Sequence, residues 1–308
     1  MTTAMDLPNH SKIQAYLMAS RPKTLFAALG LLFLSFSIAY FILGTLDLAV
    51  AVLTSACTLL MQIASNLIND ATDAKNGVDT HERLGPMRVT STGLLTYEEV
   101  RWGYRICLFT AFFIGIPLIL HGGFIILGIG LISILMAYAY TAGPIPLSHY
   151  GLGEILAFVF FGPWAVTGAV YLQTLSFEPI ALIAGCLPGL GAAALMAVNN
   201  FRDREQDKIA NKTTLATLTS FSTARALPLL FAISGVLLVP FALSFYFRDT
   251  RFLAASLIII PFFPIFQELK KSQGGRHLNK ILGLMGLFLF SSSCTLGTLF
   301  IIVRMIRF

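Results

Sequence analysis

Residues 48–79 read "LAVAVLTSACTLLMQIASNLINDATDAKNGVD", a run without a single charge from Leu48 to Asn69 and then Asp70, Asp73 and Asp79 within ten residues. Crossing a hydrocarbon layer of about 30 Å takes roughly 20 consecutive, mostly apolar residues. The run is long enough to do so, and the aspartates then stand where it would emerge.

The rest of the chain repeats the pattern. Its 308 residues are 56% hydrophobic and 12% charged, whereas a soluble domain has about a quarter of its residues charged. Nine apolar runs, near 24–44, 48–69, 104–120, 122–142, 154–172, 178–198, 226–247, 251–267 and 281–303, predict an all-α, multi-pass transmembrane bundle of about nine helices, with residues 1–308 forming one intramembrane domain. The short runs at 104–120 and 251–267 are expected to be tilted, kinked or partly re-entrant. No strand alternation supports a barrel. The run at 24–44 lacks a small-residue cleavage site and reads as a span, not a removed signal peptide.

If all nine runs cross, the connections 70–103, 143–153, 199–225 and 268–280 share a side with the N-terminus. That side holds seventeen Lys and Arg; the other holds only Arg248, Arg251, Arg304 and Arg307. Such a bias places the basic face in the cytoplasm, which predicts a cytoplasmic (inner) membrane protein with its polar connections facing inward. The net charge of +6 is then explained by topology and by anionic headgroups, and a nucleic-acid partner is not expected. Cys57, Cys107, Cys186 and Cys294 fall in apolar runs without metal-ligand spacing and read as small hydrophobes.

The aspartate cluster has a counterpart in "NNFRDREQDKIANKTTLA" at 199–216, which also follows a charge-free run. Asp70 and Asp73 are three apart, and Asp203 and Asp207 four apart, so each pair would share a helical face if its helix continued. Acidic helix ends are often mere solvated surface. Two similar clusters on one side, in a chain with fifteen acidic residues, point instead to a common ligand. Converging carboxylates repel one another, and a hard divalent cation relieves the repulsion; Mg2+ is usually held by a few carboxylates together with phosphate oxygens. Asp70, Asp73, Asp203 and Asp207 are therefore the candidate metal ligands and catalytic groups, with Asp79 in support. Asn66, Asn69, Asn199 and Asn200 offer amide groups beside them. Lys75, Arg83, Arg88, Arg202, Lys208 and Lys212 are candidates for the remaining phosphoryl oxygens.

These residues carry a resemblance. "NDATDAKNGVD" at 69–79 and "NNFRDREQD" at 199–207 are similar to the two aspartate-rich motifs of the intramembrane aromatic prenyltransferases related to 4-hydroxybenzoate polyprenyltransferase. Gly77 followed by Asp79 resembles the 1,4-dihydroxy-2-naphthoate branch, as do "RPKTL" at 21–25, "RLGPMR" at 83–88, "YTAGPIP" at 140–146, "YGLGE" at 150–154 and "NKTTLA" at 211–216. Two departures stand out: Asn211 where the branch commonly has glycine, and Glu154 where it commonly has aspartate. Asparagine tolerates a left-handed backbone, so a tight turn at 211 is expected to survive.

The resemblance implies transfer of a long isoprenoid chain from an allylic diphosphate to 1,4-dihydroxy-2-naphthoate with loss of carbon dioxide, giving demethylmenaquinol for menaquinone biosynthesis, with Mg2+ as cofactor and membrane lipid around the fold. Arg21, Lys23, Arg83 and Arg88 are candidates to draw in the acceptor's carboxylate, and Tyr138 and Tyr140 to face an allylic cation. Another ring, such as 4-hydroxybenzoate or homogentisate, is the near alternative. A transporter is disfavoured, because the acidic clusters lie at helix ends and not at the midplane.

Overall fold

With no water in the bilayer core, each backbone N–H and C=O of a crossing segment must be satisfied internally, which leaves the helix as the form these runs can take. A computed structural model describes residues 11–75, 84–85, 88–143 and 146–307, apart from the side chains of Lys23 and Asp73. A short helix α1 (Lys12–Ala19) starts at a capping box made by Ser11 and Gln14. It is followed by α2 (Pro22–Leu43) and α3 (Leu48–Lys75), and then by α4 (Tyr97–Ala139), which opens on a second capping box from Thr96 and Glu99. Helices α5 (Gly153–Val159) and α6 (Ala165–Thr174) form one span joined by a π-helical turn at Phe160–Trp164. Next come α7 (Pro179–Arg202), the short α8 (Arg204–Ile209) and α9 (Leu215–Leu218), and α10 (Phe221–Phe247). A 3-10 stretch, Thr250–Ile258, leads into α11 (Ile259–Lys271), and α12 (Leu278–Arg307) completes the described chain.

Among the described residues eight helical elements are long and apolar enough to cross a membrane, where the sequence predicts nine runs. The difference lies in α4, which joins the runs expected at 104–120 and 122–142. Its 43 residues would reach about 64 Å if straight, twice the hydrocarbon thickness. Gly123, at φ 68° and ψ −158°, breaks the helix in a conformation essentially reserved for glycine. Tyr97, at the start of α4, packs with Ala15, Leu67 and Ala71. The middle of α4 packs Leu118 and Ile126 on Val50 and Leu172, near the start of α3 and the end of α6. Tyr140, just past its end, returns to bond Met196 on α7. Helix α4 therefore goes across and back, and the acidic connections stay at one end of the bundle.

Two close approaches set the spacing between α5–α6 and α7. A Cβ on Gly162, in the π-helical turn, would lie 2.6 Å from both Gly185 O and Gly189 Cα, so only glycines allow α5–α6 to sit directly on α7. Gly185 and Gly189 are four apart, the small-residue spacing that lets membrane helices touch backbone to backbone. At the far end Phe41, Phe247, Phe252 and Phe300 form an aromatic plug, with ring centroids of neighbouring pairs 5.0–5.4 Å apart. There Arg304 donates to the carbonyls of Phe41 and Ile42, closing the C-terminal end of α2.

Candidate active site

The helices α2, α3, α4, α5, α6, α7 and α12 surround a cavity of about 1290 Å³. Its depth is lined by apolar groups such as Leu31, Leu118, Ile126, Phe160 and Leu289, and its mouth by the polar residues of both aspartate clusters. Of the residues singled out in the sequence, Asn66, Asn69, Asp70 and Arg88 line it from the first cluster, and Asn199, Asn200, Arg202, Asp203, Asp207 and Lys212 from the second. Arg21 and Tyr140 line it as well. Tyr138, Lys75 and Lys208 do not: Lys75 is exposed at the end of α3, and Lys208 turns outward to Glu205. The backbone of Asp73 lies in α3, one turn from Asp70, while Asp79 and Arg83 fall outside the described residues.

On the α3 wall Asp70 is 2% exposed and carries a carboxylate that accepts from Arg21 Nη2. Arg21 holds its own backbone at φ 51°, an uncommon left-handed conformation, as the N-cap of α2. Arg88 reaches the same carboxylate at 3.8 Å and donates to the backbone and side-chain oxygens of Asn69, each at 3.2 Å. Burial, with the nearby Arg21 cation in second place, pushes the Arg88 guanidinium down to about 10. It still carries its charge at neutral pH. Asn66 donates to Ser20 O at 2.9 Å and to Thr24 Oγ1 at 3.0 Å, tying α3 to the start of α2.

The α7 wall differs from the expectation of one continuous acidic face. The helix ends at Arg202, Asp203 is its C-cap (φ −94°, ψ 5°), and α8 restarts at Arg204. A bond from Asp207 N to Asp203 O at 2.8 Å bridges the break. The break releases Asp203 into a bidentate pair with Arg202, Nε to Oδ1 at 2.7 Å and Nη2 to Oδ2 at 2.6 Å. The same guanidinium donates to Asn199 Oδ1 at 2.7 Å and Asn279 Oδ1 at 2.8 Å, and Asn279 Nδ2 donates to Leu84 O at 2.8 Å. Arg202, read from sequence as a phosphate ligand, is thus the tie that fixes Asp203 and joins α7, α12 and the segment at Leu84.

Asp207 accepts from Lys212 Nζ at 3.3 Å, but its second carboxylate oxygen is buried without a partner. Burial pushes its carboxyl up, against the pull of Lys212. Lys212 is aimed by Asn211, which adopts φ 53° as expected of an asparagine in a glycine position. The flanking 211–214 segment pairs with the 149–151 segment through Thr213 N to His149 O at 3.2 Å and Gly151 N to Thr213 O at 3.0 Å. Below this seam Glu154 is 1% exposed, accepts from Asn200 Nδ2 at 2.9 Å and keeps its other oxygen without a partner. Because Asn200 spends its amide N–H on Glu154, its carbonyl oxygen is the group left for the cavity.

No three His, Cys, Asp or Glu side chains converge as a ready metal cluster among the described residues. The donor set nonetheless suits a hard cation that shares its shell with a bound anion: it is all oxygen, it includes the orphaned oxygen of Asp207, and it leaves room for further ligands. Several cavity-lining residues were not legible as such in the sequence, namely Gln62, Ser65, His149, Trp164 and Gln206. Gln62 and Ser65 did leave a signal, since Gln62, Ser65, Asn66 and Asn69 follow helical i, i+3, i+4, i+7 spacing inside an apolar run. Asn279 left none.

A membrane-spanning helical bundle whose cavity is charged and amide-rich at one end and apolar in its depth defines a class: integral membrane proteins that take a ligand with an anionic head and a hydrocarbon tail. The chain belongs to the UbiA prenyltransferase family, which matches it over residues 30–292. It is 36% identical over 214 residues to the 1,4-dihydroxy-2-naphthoate octaprenyltransferase of Haemophilus influenzae, covering 67% of this chain and 70% of that protein. The protein of the same name from Mycobacterium tuberculosis is 32% identical, with 77% and 80% covered. In structure the fold resembles a UbiA homolog from Archaeoglobus fulgidus bound to GPP and Mg2+, with a TM-score of 0.60 at 16% identity over 92% of this chain and 99% of that one.

Proposed function

We propose that this protein transfers a polyprenyl group from a long-chain allylic diphosphate to 1,4-dihydroxy-2-naphthoate, releasing diphosphate and carbon dioxide and forming demethylmenaquinol for menaquinone biosynthesis. The observation that carries the donor half is the cavity whose mouth holds Asp70, Asp203 and Asp207 among Arg21, Arg88 and Lys212, over an apolar depth. The naphthoate half rests on the relatives of that name.

The diphosphate binds at the mouth, where Arg88 and Lys212 offer cationic donors, and the isoprenoid tail lies along the apolar walls. Asp70, Asp73, Asp203 and Asp207 would hold Mg2+, aided by amide oxygens such as that of Asn200. When bound, that ion neutralises the charge that develops on the leaving diphosphate. Arg21 and Arg202 hold Asp70 and Asp203 in place before the ligand arrives, so little reorganisation accompanies the reaction. As the allylic C–O bond breaks, the ring carbon bearing the carboxylate bonds to the prenyl carbon. The bond to the carboxyl carbon then breaks, its electron pair restores the aromatic ring, and carbon dioxide leaves. Water is excluded by the bundle, which keeps the allylic cation from being hydrolysed. The basic end faces the cytoplasm of a cell whose inner membrane holds the bundle.

Purified protein in detergent, given Mg2+, octaprenyl diphosphate and 1,4-dihydroxy-2-naphthoate, is expected to form demethylmenaquinol with stoichiometric diphosphate and carbon dioxide, and to stop when EDTA is added in excess. Product from 4-hydroxybenzoate but none from the naphthoate replaces the acceptor. Product from neither ring overturns the transferase reading.

A further inference from the structure

The face of α3 toward the cavity continues below the anionic mouth. Gln62 and Ser65 line the cavity on the same face as Asn66 and Asn69, Ser65 about one turn and Gln62 about two turns deeper than Asn69 and Asp70. Neither side chain has a hydrogen-bond partner among the described residues. Three polar neighbours differ in this respect, while the Thr54 hydroxyl, about two turns deeper on α3, is also without a partner. Thr58 bonds back to Thr54 O at 2.8 Å, and Ser133 bonds back to Ile129 O at 2.7 Å while accepting from Trp164 Nε1 at 3.0 Å. Asn66 is committed to Ser20 and Thr24.

A primary amide and a hydroxyl left open inside a membrane-embedded cavity are matched by a ligand that carries oxygen at that depth. A hydrocarbon tail would leave both unsatisfied. The diphosphate is accommodated at the mouth, one to two turns higher. Of the two reactants in the proposed reaction, on which this inference rests, only the aromatic acceptor has oxygens to bring to this level. We propose that Gln62 and Ser65 form the acceptor subsite, bonding the hydroxyl and carboxylate oxygens of the dihydroxynaphthoate ring and thereby setting acceptor specificity.

The neutrality of the pair suits the chemistry. An arginine against the carboxylate would stabilise the charged ground state more than the transition state in which that charge flows into the ring, and would slow the loss of carbon dioxide. An amide and a hydroxyl orient the group without holding it back. Of the cations at the mouth, Arg21 is engaged with Asp70 and Arg202 with Asp203, while Arg88 and Lys212 are the two that the proposed diphosphate takes up.

The test varies both substrates at steady state with purified Gln62→Leu, Gln62→Glu and Ser65→Ala. The expected result is a rise in acceptor KM of at least tenfold for Gln62→Leu and about threefold for Ser65→Ala, with the KM for octaprenyl diphosphate within twofold of the wild type. Gln62→Glu is expected to raise acceptor KM further than Gln62→Leu, because its carboxylate repels that of the ring. If the Gln62 variants do not fold, Ser65→Ala, which deletes one hydroxyl, decides alone. Acceptor KM within twofold of the wild type, or an equal rise in both KM values, overturns the subsite. Wild-type protein that prenylates no aromatic acceptor overturns the transferase reading instead, so the two failures are distinguishable.

Discussion

Asp203 and Lys208 lie five residues apart in one polar connection, and their surroundings assign them different consequences. Asp203 is gripped by Arg202 in a bidentate pair at the cavity mouth, whereas Lys208 pairs at 3.2 Å with an exposed Glu205 outside it. In the proposed reaction Asp203→Asn removes an anion that would help hold the cation balancing the departing diphosphate. Removal of one such transition-state contact costs roughly 2.7–4 kcal/mol in other enzymes, about 10²- to 10³-fold in turnover. That loss is expected here in a diphosphate-release assay, with helical circular dichroism unchanged. Lys208→Ala is expected to stay within twofold of the wild type, since exposed ion pairs contribute little. Turnover of Asp203→Asn within fivefold of the wild type would remove Asp203 from the site.

Among the elements, the turn between α10 and the 3-10 stretch has its own lock at the end away from the cavity. Asp249 accepts from Arg251 and, at 2.9 Å, from Arg307 at the end of α12. The hydrogen bonds from Arg251, with Arg307 adding to them, hold its carboxyl down to about 2. A carboxylate depressed in the folded state contributes stability that is fully present above its unfolded value near 3.9 and is lost as pH falls through its folded value. The Tm difference between the wild type and Asp249→Asn is therefore expected to be largest above pH 4 and to shrink between pH 4 and 2. A difference that does not change over that window would show that the ion pair contributes nothing. Within α4, by contrast, the decisive element is one glycine. Gly123 turns what hydropathy presents as two runs into a single broken helix, and the runs were legible while their fusion was not, because hydropathy reports length and a backbone break reports φ and ψ.

For the whole molecule, the doubling back of α4 puts residues 20–24, 66–75, 140–143, 146–153, 199–215 and 272–280 at one end and residues 44–47, 174–178 and 248–250 at the other. Single cysteines replacing Glu205 and Ser176, both exposed, in a background without the four native cysteines, are expected to be labelled from opposite sides by an impermeant thiol reagent. Ser176 should react in intact cells and Glu205 only in inverted vesicles. Labelling of both from one side would break the topology.

Sequence by itself determined the membrane-spanning helices, because burial in hydrocarbon demands long uncharged runs and each run is contiguous. It also determined which connections are polar and which two carry the aspartates, since those features lie within a few neighbouring residues. Tertiary structure alone decided how these groups are used. Arg202 is bound to Asn279, 77 positions away, and Asn279 to Leu84, 195 positions away. Asp70 is held by Arg21 from 49 positions off, Lys208 is turned outward, and Gln62 and Ser65 are left open beneath the mouth. A hydrogen-bond partner is chosen by which helices pack together, and the packing of near-uniform apolar helices depends on shape at places such as Gly162 against Gly185 and Gly189, which no local pattern of charge or hydropathy records.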